Sequence, residues 1–98
     1  MKQRVEQFFK KVRERVEARS FTVEWRQREA LAQIQLDEDF YIFVVFSWYD
    51  DECVVEYMIG DENAVVRPRY LERLDQAVAI VKLVNKLAGE EFTCLQTS

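Results

Sequence analysis

Histidine is absent from these 98 residues. Without an imidazole there is no Ser-His or Cys-His nucleophile pair, no conventional zinc site, and no side chain whose ordinary pKa lies near neutrality. Glycine and proline are nearly as scarce, at two and one. A phosphate-cradling loop needs clustered glycines, whereas Gly60 and Gly89 stand alone at the ends of apolar patterns. With 49% apolar and 33% charged residues, the same scarcity predicts one domain in which nearly every residue is helix or strand. The two cysteines, Cys53 and Cys94, form no CxxC pair. Met1 to Arg19 is charged throughout, unlike a basic-then-apolar leader. The expected compartment is therefore a reducing cytoplasm, with Cys53 a small core residue and Cys94 exposed near the tail. Phe40 to Ile59 is interrupted by Asp50, Asp51, Glu52 and Glu56, so no apolar run reaches the roughly 18 to 20 residues that span a bilayer. No membrane association is expected.

What is present is strongly patterned. Val5, Phe8, Phe9, Val12 and Val16 recur at helical spacing, which predicts an amphipathic helix from Lys2 to about Arg19. Phe21, Val23 and Trp25 then alternate with polar residues, and beyond the turn Gln27 to Glu29 so do Ala32, Ile34 and Leu36. The long run from Phe40 sets Phe40, Ile42, Val44, Phe46 and Trp48 on one side of a strand and Tyr41, Phe43, Val45 and Tyr49 on the other. Cys53 to Ile59 makes a fourth strand. Short acidic turns at Asp37 to Asp39 and Asp50 to Glu52 imply an antiparallel meander. Ala64 to Val66 reads as a brief edge strand or as the approach to a helix.

Pro68 at its start and Gly89 just past its end bracket a second helix, Pro68 to Ala88. One apolar stripe runs Tyr70, Leu74, Ala77, Val81, Val84 and Ala88, and another runs Ile80, Leu83 and Leu87. The sheet can take one stripe. The first helix, Phe92 and Leu95 of the tail, or another subunit can take the other. The expected fold is a two-layer α+β sandwich, helix, four-stranded antiparallel meander, helix, with both helices on one face of the sheet.

Charge is segregated along the chain. Residues 1–28 hold nine bases against four acids, a net of +5, while residues 37–62 hold nine carboxylates and no base. Such asymmetry bears on partners rather than on fold. In a meander, Asp37, Glu38, Asp39, Asp61 and Glu62 gather at one end of the sheet. That cluster could meet a basic protein surface, offer a phosphate-like pattern, or hold a hard divalent ion. Its spacing matches no calcium loop, and Arg67 and Arg69 are expected to neutralise it. Arg26 and Arg28 are expected to pair with Asp50, Asp51 and Glu52. Arg4, Lys11 and Arg15 share a flank of the first helix that could track phosphates, but Glu6, Glu14 and Glu17 are interleaved and the chain is acidic overall, so nucleic-acid binding is not expected.

The second face of the third strand is the better site. Tyr41, Phe43, Val45, Tyr49, Val54 and Met58, bordered by Gln33, Gln35 and Glu56, have the aromatic and Met content with a polar rim that protein interfaces show. The competing reading is that the second helix or the tail covers this face as ordinary core. In architecture the chain resembles small acidic helix-sheet-helix dimers that act as secretion chaperones or adaptors, and in size and charge small phage-encoded inhibitors. The missing histidine, phosphate loop and CxxC pair, together with the aromatic face, lead to the expectation of a non-enzymatic protein-binding module, a homodimer, without cofactor. The alternatives are a nucleic-acid-mimicking inhibitor of a basic protein and a divalent-metal-dependent enzyme built on the carboxylates.

Overall fold

A helix, a four-stranded antiparallel meander and a second helix follow one another in a computed structural model that describes residues 1–50, 52–61, 68–92 and 94–96, with side chains over 1–50, 52–60 and 72–92. The elements are α1 (Lys2–Arg15), β1 (Ser20–Arg26), β2 (Glu29–Asp37), β3 (Phe40–Tyr49), β4 (Glu52–Asp61), α2 (Pro68–Glu91) and β5 (Cys94–Gln96). Strand order in the sheet is β1-β2-β3-β4-β5. The α+β meander is thus the expected one, extended by a fifth strand that pairs parallel to β4. Asp51, Glu62, Ala64 to Val66, Arg67 and the side chains of Asp61, Arg69, Tyr70, Cys94 and Leu95 lie outside the described residues.

Alternation decides what is buried. Ala32, Ile34, Ile42, Val44 and Phe46 are fully buried, as are Val5, Phe8 and Val12 of α1 and Ala77, Val84 and Ala88 of α2, all in one cluster. Around Phe46 the rings of Phe8, Phe9, Phe92 and Trp48 lie at centroid distances of 5.5, 6.3, 5.1 and 6.2 Å, tilted or edge-on as aromatic quadrupoles prefer. The second stripe of α2 is largely spent within the chain, since Ile80 and Leu87 are buried and Leu83 packs against the same cluster. Phe92 is buried as well.

Both helix ends differ from the sequence expectation. α1 stops at Arg15 because Val16 turns extended (φ −113°, ψ 128°), and the chain crosses to the sheet so that the Arg19 amide can donate to the Gln35 carbonyl at 2.8 Å. α2 does not stop at Gly89. It continues to Glu91, whose carboxylate pairs with Lys11 and whose carbonyl accepts from Arg4 Nη2 at 2.6 Å, so α1 caps the last turn that a left-handed glycine was expected to close. The β1–β2 turn is tighter than expected, Gln27-Arg28 alone, with Arg28 in the left-handed region at φ 60°.

Tyr57 ties β4 to α2. Its hydroxyl donates to Asn85 Oδ1, and burial raises the phenol above its ordinary pKa. Tyr57→Phe should therefore cost about 1 kcal/mol in denaturant unfolding at neutral pH. The folded-state pKa lies above the unfolded one, so the native state holds the proton more tightly. Stability is full below the unfolded value of about 10 and declines as pH rises past it. The phenylalanine variant should lose this component of the alkaline decline.

Candidate functional site

None of Tyr41, Phe43, Val45, Val54 and Met58 is buried, and Met58 and Tyr49 are 55% and 60% exposed. Register sets them in rows. Gln33, Phe43 and Met58 are neighbours across β2, β3 and β4; Gln35, Tyr41 and Gly60 form the next row, and Leu31, Val45 and Glu56 the row on the other side. The residues in-turned toward the core are the alternate set, so this second face is left with a central apolar ridge on β3 between polar margins. Tyr41 and Phe43 stack on one another at 6.2 Å and 22°. Phe43 also lies over Gly60, where an added Cβ would stand 3.3 Å from its Cε2. The ring covers backbone that the glycine leaves bare, which gives Phe43 a structural task beside any binding one.

The acidic end is only partly what the sequence suggests. Asp61 pairs in register with Phe40, so the end of β4 does meet the 37–39 turn. Between Gln35 and Asp37, however, the β2–β3 register slips by one residue, and Asp37 pairs with Phe40, an in-turned position. This bulge aims the Asp37 carboxylate at the helical layer, where Arg73 Nε of α2 lies 3.3 Å away and Arg19 Nη1 3.7 Å. Its side chain is only 13% exposed. Glu38 is exposed, its carbonyl accepting from Gln35 Nε2 at 3.3 Å, and Asp39 is half-buried. Among the described residues no three His, Cys, Asp or Glu converge as a metal ion would need.

The basic residues are also committed differently from expectation. Arg26 pairs with Glu24 and Glu29 of its own hairpin, at 3.4 and 3.8 Å. On the flank of α1, Arg4 stands over the Phe92 ring at 4.7 Å besides donating to Glu91, and Lys11 takes the Glu91 carboxylate. Two of the three bases proposed to track phosphates therefore fasten α1 to the end of α2. Arg15, the third, has no hydrogen-bond or ion-pair partner among the described residues.

Cys53 is buried, as expected of a small core residue, but it is disulfide-bonded. Its register partner across β4 and β5 is Cys94, the one other cysteine of the chain. Residue spacing along the chain holds no sign of this pairing, which depends on the tail returning to β4.

In class, the chain is an α+β helix-meander-helix protein with one sheet face that none of the described elements covers. No family model, curated protein or solved structure matches it. Among the described residues no helix is long and apolar enough to cross a membrane.

Proposed function

We propose that the chain is a non-enzymatic protein-binding module that self-associates as a homodimer through the second sheet face. One observation carries the reading: Tyr41, Phe43, Val45 and Met58 form an apolar ridge that none of the described elements covers, in a chain whose alternate face holds the buried core. Apolar ridges with aromatic and Met residues and a polar rim suit protein contacts. A basic partner would meet Glu38 and Asp39 at the acidic end; Asp37, already held by two arginines, contributes less there. The same neutralisation weighs against the nucleic-acid-mimicking alternative. A metal-dependent enzyme remains the alternative of another class, and a thermal melt with and without Mg²⁺ or Mn²⁺ separates it, because specific binding to the folded chain must raise the midpoint. As to compartment, the Cys53 disulfide favours an oxidising one.

Sedimentation equilibrium tests the dimer. The expected result is twice the 11.8 kDa chain mass at micromolar concentration, with Phe43→Glu and Met58→Lys each shifting the protein to monomer. Charge buried without a partner at an interface costs several kcal/mol, enough to weaken association by more than about a hundredfold. Met58→Lys controls for the contact between Phe43 and Gly60. A monodisperse wild-type monomer at high concentration would sink the reading.

A further inference from the structure

Beside the uncovered sheet face, the molecule has a groove of about 470 Å³ between the end of α1, the segment leading to β1, and α2. Leu36 and Ile80, both 6% exposed, lie at its floor, and Val16, Ala79 and Leu83 line it further. Arg15, Arg19 and Arg73 stand around it. The volume falls within the range of small-ligand sites, and the lining is mixed, an apolar part beside charged and polar residues, which suits an amphiphile better than a wholly apolar ligand.

We infer that this groove binds a single-chain carboxylate amphiphile, with the hydrocarbon along Val16, Ile80 and Leu83 and the carboxylate on Arg15 and Arg19. Arg15, Arg19 and Arg73 outnumber Glu17 of the groove and the nearby Asp37, which leaves the rim net positive in an acidic chain. Arg73 is engaged, its Nε on Asp37 and its Nη1 on Gln76 Oε1 at 2.9 Å. Arg19 is held only loosely by Asp37, at 3.7 Å with 58% of its side chain exposed, and Arg15 is without a partner among the described residues. Arg19 already meets one carboxylate, that of Asp37, and keeps most of its guanidinium in solvent. A planar guanidinium fork can donate to a carboxylate in bidentate fashion. This inference is independent of the sheet-face reading, since the two surfaces share no residue.

Titration of the full-length protein with decanoate, kept below its micellar concentration and followed by calorimetry and amide NMR shifts, tests it. The expected result is saturable one-to-one binding with shifts at Val16, Ala79 and Leu83. Decan-1-ol should bind about tenfold more weakly and butyrate not measurably, because each lacks one half of the recognition. Arg15→Ala should weaken decanoate about tenfold, Arg15→Lys should restore part of the loss, and Ala79→Trp should block the groove. Arg15 and Ala79 are exposed, so neither change threatens the fold. Equal affinity for decanoate and decan-1-ol, indifference to Arg15→Ala, shifts confined to Tyr41 and Phe43, or no saturable binding would each overturn the inference.

Discussion

At concentrations dilute enough to keep the chain monomeric, replacing Phe46 by alanine should lower the unfolding free energy by about 4 kcal/mol, while Phe43→Ala, three positions along the same strand, should cost only about 1 kcal/mol. The two rings have equal volume and equal transfer free energy when wholly buried. They differ in which side of β3 they occupy. Phe46 is fully buried against Phe8, Phe9 and Phe92, so its removal forfeits the whole transfer term and leaves a void between two helices and a sheet that cannot close independently. Phe43 remains half in solvent, and its loss chiefly bares Gly60. Urea denaturation of the two variants reads the difference directly. Equal losses in the dilute protein would mean that part of the chain itself covers the second face. At micromolar concentration and above, the proposed dimer should enlarge the Phe43→Ala loss, since stability contributed by a second copy grows with protein concentration and stability contributed by the chain itself does not.

The physical reason this contrast could be drawn from sequence is the period of two. Phe40, Ile42, Val44 and Phe46 alternate with Tyr41, Phe43 and Val45 without interruption, and the register confirms which set turns inward. Helical spacing in α1 identified Val5, Phe8, Phe9 and Val12 equally well. What the pattern did not hold is everything set by elements meeting across the fold. The slip between Gln35 and Asp37 is one inserted residue, invisible in composition, yet it turns Asp37 from an exposed acidic turn toward Arg73. Gly89 has the local chemistry of a helix end. Tertiary contacts from Arg4 and Lys11 prevail over it, together with the burial of Phe92, and the helix continues. The candidate site divides along the same line: the aromatic ridge was legible because it lies on one strand, whereas the groove at Arg15, Arg19 and Arg73 joins three elements and has no sequence signature.

The fifth strand is the largest feature absent from the sequence reading, and its covalent attachment yields the second large effect. Cys53→Ser should destabilise the protein by about 4 kcal/mol and lower the melting temperature by some 15 °C or more, because a cross-link between positions 53 and 94 closes a loop of about 40 residues in the unfolded chain. Reduction by excess dithiothreitol should reproduce the loss in the wild type and add nothing in the variant: two thiols form as the dithiol reagent is oxidised, and the entropy restriction on the unfolded state disappears. The folded state should change little. Phe92 precedes β5 and is held by its amide on the Ala88 carbonyl at 2.7 Å, by Arg4 over its ring, and by contact with Phe8 and Phe46, none of which depends on the cross-link. Amide exchange in the reduced protein should therefore lose protection at those amides of Cys53 to Val55 that point to β5, and keep it at those that point to β3 and in β2 and β3. Thiol titration of the native protein provides the independent check. Two reactive thiols under denaturing, non-reducing conditions, with a melting temperature indifferent to dithiothreitol, would show that the pair is not joined and would remove the support for an oxidising compartment.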